Sequence, residues 1–314
     1  MKYSFSLGTT SCGSQLALWY WNEMSEMIGV CGYDGMEIPF QAWSFNGGRG
    51  AAPVCAEAIR TKYGSIANYQ AFLQECGIAE GLSGLHITAQ NILSTMMEDN
   101  KPREAIFDCT LALAEETIAV LSEAGSKDLI FSPSPMFGMF MGMFHGSDIQ
   151  ENYEDRIADT IVKMAEMAES EGIKLSLRNE FYGLFRGTLI DSLMEKLPES
   201  VCYSPDLAQL YIAGADPVEM VRKYAGRLGS VKMDDTEFVD KVGCFATPMP
   251  EAPQEGEKQR VYCTFGNGNV DKVGAYQALK DAGYDEWIVM ESKEAFNIEK
   301  TMMKMQAFRK KYFK

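Results

Sequence analysis

The sequence predicts an α/β protein, a (β/α)8 TIM barrel with long loops at the C-terminal face. Three observations carry that reading: eight short β-type runs, a helix-type segment after each, and polar residues at one parity near the end of each run. The runs are Tyr3–Leu7, Gly35–Pro39, Gly84–Thr88, Asp128–Ser132, Lys174–Arg178, Val201–Asp206, Ser230–Asp234 and Trp287–Glu291. Strand side chains alternate between faces, so Met36 and Ile38, Leu85 and Ile87, Leu175 and Leu177, and Val231 and Met233 can meet an outer helical layer. The opposite parity then sends Glu37, His86, Arg178, Asp206, Lys232 and Glu291 toward a common axis. Charge inside a barrel is costly unless it is paired or binds something, so a ring of it at strand C-termini reads as a site.

The intervening helices follow from period and capping. Leu16, Trp19, Tyr20, Met24 and Met27 share helical spacing from Ser14 to Ile28, and Gly29 follows as a stop. From Glu151 to Glu171 the stripe is Ile157, Ile161, Met164, Ala165 and Ala168, before Gly172. Asp216 and Pro217 open another helix as N-cap and first helical residue, closed by Gly226 or Gly229. Asn297 to Tyr312 is basic and Met-rich, and a closing barrel helix explains it. No Pro/Gly/Ser-rich linker divides the 314 residues, so one domain over 1–314 is expected.

Composition excludes several functions. The net charge of −15 would repel nucleic acid and anionic membranes, and no basic stripe with interleaved aromatics offsets it. No apolar run approaches the roughly 20 residues that span a bilayer. The first residues enter a strand without the shape of a signal peptide, so a cytoplasmic location is expected. Cysteines at 12, 31, 55, 76, 109, 202, 244 and 263 form no CxxC pair and read as reduced, scattered thiols.

Three connections exceed what a barrel needs: Gln41 to Ser65, Pro133 to Gln150, and Thr236 to Phe265. All follow strand C-terminal ends, where long loops serve as lids, binding loops or subunit contacts. Pro133 to Gly146 carries four Met and three Phe in fourteen residues, so it must cover something. Closing with Phe144, His145 and Gly146, it reads as an apolar flap over the barrel mouth, although a lone loop histidine is also an ordinary polar residue.

Four phrases resemble a known family. They are Gly32–Ile38, Asp206 followed by Leu210–Pro217, Gly266–Asp271 and Gly283–Glu291, and together they are similar to the sugar phosphate isomerase/epimerase superfamily, the xylose-isomerase-like TIM barrels. The glycine-rich Gly266–Val270 reads as a tight turn into the helix at Asp271 rather than a phosphate cradle. The resemblance implies a divalent metal, manganese or magnesium, held by Glu, Asp, His and Glu at the ends of strands five to eight, and no nucleotide cofactor. Asp206 matches the second ligand and Glu291 the fourth, but Arg178 stands where the first Glu is expected and Lys232 where the His is expected. A guanidinium cannot ligate, and an ammonium has no lone pair. Two readings stay open: a metal-free ring in which Arg178 and Lys232 pair with Asp206, Glu291 or Glu180, or a metal held by Glu180, Asp206 and Glu291.

Members of this superfamily mostly remove a proton beside a carbonyl, which needs a base, an electrophile at the developing oxyanion and a second acid. The candidate catalytic residues are His145, Glu180, Lys232 and Glu291; Glu37, His86, Arg178 and Phe144 are candidate contacts to a sugar or aryl glycoside. Among similar barrels, the catalytic subunits of bacterial C-glycoside deglycosidases act on 3-oxo-glycosides, eliminate an aromatic aglycone and work with a small β-rich partner subunit. The Met/Phe flap would suit such an aglycone, and the long loops would suit a partner or an oligomer. Sugar epimerase or isomerase activity is the alternative, and a non-catalytic subunit with a decayed metal site is a third.

Overall fold

A computed structural model describes residues 1–6, 18–39, 56–247, 261–293 and 297–314, with side chains from residue 21 onward in the second stretch. Every expected strand forms: β1 Lys2–Ser6, β2 Gly35–Pro39, β3 Leu82–Thr88, β4 Asp128–Ser132, β5 Lys174–Leu177, β6 Cys202–Tyr203, β7 Val231–Met233 and β8 Trp287–Met290. All paired neighbours are parallel, in the order β6-β5-β4-β3-β2-β1-β8-β7. Parallel bridges between Tyr203 and Leu228 and between Asp206 and Lys232 join the two ends of that order into a ring. Pro205 explains why β6 is short. Proline has no N–H for a ladder, yet its carbonyl accepts from the Lys232 N–H at 2.8 Å and so completes the closure.

Helices α1 Leu18–Val30, α2 Ala56–Tyr63, α3 Ile66–Glu75, α4 Ala89–Glu98, α5 Ile106–Ala124, α6 Phe137–Phe144, α7 Asp148–Ser170, α8 Ile190–Glu195, α9 Leu207–Ile212, α10 Pro217–Lys223, α11 Lys272–Asp281 and α12 Ile298–Tyr312 fill the connections. The outward parity of the strands, including Met36, Ile38, Leu85, Ile87, Leu129, Phe131, Leu175, Leu177, Val231 and Met233, is buried in one core with them. Among the described residues no helix is long and apolar enough to cross a membrane. Cysteines 31, 76, 109, 202, 244 and 263 are free thiols; Cys12 and Cys55 lie outside the described residues. So do the start of the first expected helix, residues 14–17, and residues 41–55 and 248–260 of two long connections.

The third long connection corrects the sequence reading. Pro133 to Gln150 is not a structureless flap but contains α6 and the first turn of α7. Phe140 and Phe144 lie one helical turn apart and are buried; Phe140 meets Phe144 at 5.2 Å and Tyr153 of α7 at 4.9 Å between ring centroids. The apolar strip therefore covers the helical layer. Ser147 caps α7, which starts at Asp148, three residues before the expected Glu151, its hydroxyl accepting the Gln150 N–H.

The glycine-rich turn after residue 265 also has a defined partner. Asp235, just past β7, accepts the N–H groups of Gly266 at 2.7 Å and Gly268 at 3.0 Å, and pairs with buried Lys272 at 2.7 Å. A Cβ at Gly268 would collide with that carboxylate, so the close approach requires glycine. The turn binds the protein's own anion and anchors a loop at the barrel mouth. Asp216 caps α10 in the expected way, Oδ1 accepting from Val218 N at 2.8 Å and Glu219 N at 3.2 Å. Asp216→Ala should lower stability by about 1 kcal/mol in urea unfolding, with the slope of the transition unchanged.

Candidate active site

The floor of the barrel mouth is a buried ion cluster. Arg178, the residue after β5, lies across the interior and grips Glu37 of β2 with both nitrogens, Nη1 to Oε1 at 2.8 Å and Nη2 to Oε2 at 3.1 Å. It also donates to the Ser204 and Ser230 hydroxyls, each at 3.2 Å, and from Nε to the Ser204 carbonyl at 3.3 Å. Lys232 of β7 adds its ammonium to Glu37 at 2.7 Å, to Glu291 at 3.2 Å and to the Ser6 hydroxyl at 3.0 Å. Small serines at the inward positions 6, 176, 204 and 230 leave the volume that the long cations fill. Burial would raise the Glu37 carboxyl, but Arg178 and then Lys232 outweigh it and hold it well below the ordinary carboxylate range.

Above this floor lies a cavity of about 370 Å³. Asp206 caps α9 through Oδ1, which accepts from Ala208 N at 3.1 Å and Gln209 N at 3.2 Å, and offers Oδ2 to the Lys293 ammonium at 3.0 Å. Lys293 reaches Glu291 at 3.4 Å and lies over the Tyr262 ring at 4.7 Å. Burial alone would raise Asp206, yet Lys293, Lys232 and Arg178 keep it lowered; for Lys293 burial opposes the charge, but Asp206 and Glu291 raise the ammonium well above its usual value. Asp234 behind them receives the Lys293 N–H at 3.4 Å, and burial pushes its carboxyl well up.

Glu180 differs from the other cavity carboxylates. It lies in the turn beyond β5 rather than on the strand, takes the Ser132 hydroxyl at 3.1 Å and is hydrogen-bonded by the Gln209 amide. Among the described residues no salt bridge reaches it. Burial raises its carboxyl and Lys293 only partly offsets this. His86 Nε2 lies 2.8 Å from the same Ser132 hydroxyl. With Ser132 donating to Glu180, the ring donates at Nε2; burial, Arg178 and Lys232 keep it neutral. Phe181, Tyr182, Val261 and Tyr262 form the apolar wall, and Thr88, Gln90, Asn91 and Gln209 line the rest.

Seven of the residues singled out in the sequence line this cavity: Glu37, His86, Arg178, Glu180, Asp206, Lys232 and Glu291. Two do not, and both are corrections. His145 is exposed just after α6 and away from the cavity, because the helix turns the chain outward there. Phe144 is fully buried against Phe140, which leaves it no face for a ligand. Arg178 pairs with Glu37 rather than with Asp206, Glu291 or Glu180. Sequence reasoning missed Lys293, although it follows Glu291 by two residues and so continues the inward parity. Gln209 sits in a helix, Tyr182 in a turn and Tyr262 in an irregular segment, where no parity rule applies.

A divalent metal does not fit these residues. Among the described residues no group of three or more His, Cys, Asp or Glu side chains is arranged to hold one. Asp206 and Glu291 face ammonium groups, and Glu180 faces Ser132 and Gln209, so the expected triad of Glu180, Asp206 and Glu291 does not assemble as a ligand set.

An eight-stranded parallel α/β barrel with a carboxylate-rich mouth at its strand C-termini defines the class of protein. The chain belongs to the xylose isomerase-like TIM barrel family, whose model matches residues 30–311. It is 24% identical over 181 residues to inosose dehydratase of Clostridium botulinum (strain Alaska E43 / Type E3), covering 56% of this chain and 57% of that protein. To inosose dehydratase of Geobacillus thermodenitrificans (strain NG80-2) it is 26% identical over 144 residues, 45% and 47% of the two chains. The chain thus spans about half the length of these relatives. Among solved structures, the IolI protein with a bound zinc atom is 16% identical, with a TM-score of 0.66 over 100% of this chain and 99% of that one. An L-ribulose 3-epimerase is 15% identical, with a TM-score of 0.65 over 99% and 94%. These two likenesses show the fold.

Removing Glu37 strands the buried Arg178 and, among the described residues, leaves Lys232 paired with Glu291 alone. Glu37→Ala should therefore cost about 3–5 kcal/mol in urea unfolding, while Glu37→Gln, which keeps an acceptor for Arg178, should cost less. His86 predicts a pH effect. Its folded-state value lies well below the ordinary 6.5, so below that pH the unfolded chain binds more protons and stability falls as pH falls. In His86→Gln the fall of stability between neutral pH and pH about 5 should be shallower than in the wild type.

Proposed function

We propose that this protein is a sugar-active lyase that removes a proton beside a ketone and eliminates a substituent one carbon further on. Glu180 carries the reading. It is a buried carboxyl that no salt bridge reaches among the described residues, facing a cavity in which Lys232 and Lys293 present ammonium groups. The names of the inosose dehydratase relatives support an elimination, and those of the epimerase neighbours support a sugar as substrate.

In this mechanism Glu180, ionised, takes the proton from the carbon next to the ketone. The electron pair moves into the carbonyl, and an ammonium near the carbonyl stabilises the enolate oxygen as its charge develops. The carbonyl then re-forms as the bond to the leaving oxygen or aryl carbon breaks. Glu180 returns its proton to the departing group, so that water, or an aglycone, leaves and the carboxylate is restored. Ser132 and Gln209 hold Glu180 in place, and neutral His86 fixes the Ser132 hydroxyl. Epimerisation would need a second free acid or base on the opposite face. Glu37, Asp206 and Glu291 are each held by cations, which favours the one-carboxyl elimination.

A 3-oxo-glycoside with an aryl group is one substrate of this kind. The wall of Phe181, Tyr182 and Tyr262 offers its aromatic part the contact that the α6 segment does not. Incubation with an inosose and with a 3-oxo-C-glycoside in deuterium oxide, followed by NMR, tests the proposal. Exchange beside the ketone, with loss of water or aglycone, is expected; neither exchange nor loss with either compound would overturn it. Glu180→Gln should lower the rate by at least ~100-fold, the scale for losing a general base. His145→Ala should leave it within about twofold, since an exposed residue outside the cavity supplies no proton transfer. Because the base must be ionised and burial raises it, the acid limb of kcat/KM should lie above the ordinary glutamate value of 4.5.

A further inference from the structure

The residues that would be expected to ligate a metal are already neutralised from within. Asp206 at the end of β6 and Glu291 at the end of β8 are both about 1% exposed. Between them sits an ammonium from the chain itself, Lys293 Nζ, 3.0 Å from Asp206 Oδ2 and 3.4 Å from Glu291 Oε2. Glu291 Oε2 also lies 3.2 Å from the Lys232 ammonium, so one carboxylate oxygen faces two ammonium groups. Four carboxylates, Glu37, Glu180, Asp206 and Glu291, and three cations, Arg178, Lys232 and Lys293, line the same cavity.

We propose that Lys293 is a built-in substitute for a divalent metal, its ammonium occupying the place between Asp206 and Glu291 and so excluding a metal ion from the site. The argument is one of space and charge. A metal ligated by these two oxygens would lie against the Lys293 and Lys232 ammonium groups, and the like charges repel strongly in a buried site. The lysine cannot easily leave, because its nitrogen is held by two carboxylates and lies over the Tyr262 ring, and its side chain is 16% exposed. Lys293 differs from a metal in being part of the chain, three residues beyond β8, so the positive charge at the mouth does not depend on metal supply. This inference concerns cation occupancy and stands whichever reaction the cavity performs.

Manganese binding tests it without reference to activity. The full chain is dialysed against a chelator, then titrated with manganese(II) chloride while the electron paramagnetic resonance signal of free manganese is followed. The wild type should take up no stoichiometric manganese, and its Tm should not move with manganese or with chelator. Lys293→Met keeps most of the side-chain volume but removes the charge, leaving Asp206 and Glu291 one cation short. It should gain a manganese site at least ~10-fold tighter than any in the wild type, the scale on which surrounding groups shift metal affinity. Uptake of one equivalent by the wild type would overturn the proposal, and so would a folded Lys293→Met that binds no more manganese than the wild type. If that variant does not fold, Lys293→Gln replaces it, and the wild-type titration alone decides if neither folds.

Discussion

Glu37, clamped between the Arg178 guanidinium and the Lys232 ammonium, is the contact on which the barrel mouth depends. Taking a guanidinium out of water costs several kcal/mol, and attraction to a carboxylate offsets this only when geometry is good and the remaining donors are satisfied. Both conditions hold. The pairing is two-pronged, Nη2 also donates to the Ser204 and Ser230 hydroxyls, and Nε donates to the Ser204 carbonyl. The inward serines contribute by being small and by accepting hydrogen bonds. Larger apolar residues there would fill the space Arg178 needs, and would remove the hydroxyls that accept from Nη2 beside Glu37.

That floor decides how the other charges are used. With Glu37 committed to Arg178 and Lys232, and with Asp206 and Glu291 committed to Lys293 and Lys232, Glu180 is left with neutral partners. Burial then raises its carboxyl, the property a base working near neutral pH needs. Burial, joined by the same cations, keeps His86 neutral, so the ring serves as a hydrogen-bond donor to Ser132 instead of a fourth positive charge. Among the described residues one ion network therefore pairs Glu37, Asp206 and Glu291 with cations and leaves Glu180 outside every salt bridge.

The fold was legible because strand side chains alternate strictly. Eight polar-ended runs were enough to place the sheet and to bring seven site residues to one cavity. The pairing among those residues was not legible: Arg178 and Glu37 are far apart in sequence, and parity says that two side chains point inward without saying which meet. Lys293 was readable in principle, since it continues the parity of Glu291, but it lies beyond the last β-type residue. The Met/Phe segment misled for a different reason. Composition says that it must be covered, and only the one-turn spacing of Phe140 and Phe144, with Phe140 against Tyr153, shows that the cover is the helical layer. Gly138 and Gly142 disguise that spacing as loop.

Replacing a divalent ion by ammonium groups carries a consequence of its own. An ammonium brings half the charge of such an ion and cannot accept a lone pair, so a single lysine would polarise a carbonyl less strongly. Two lysines meeting on one Glu291 oxygen restore the charge but bring like charges close together. That arrangement is tolerable because Glu37 and Asp206 flank it on either side and keep each ammonium paired with its own anion. A substrate oxygen entering the cavity would be drawn toward ammonium groups that carboxylates hold in place, so little reorganisation is needed when charge develops. The carboxylates retained at the mouth thus position cations that belong to the chain, a role that explains their burial without requiring any of them to ligate a metal.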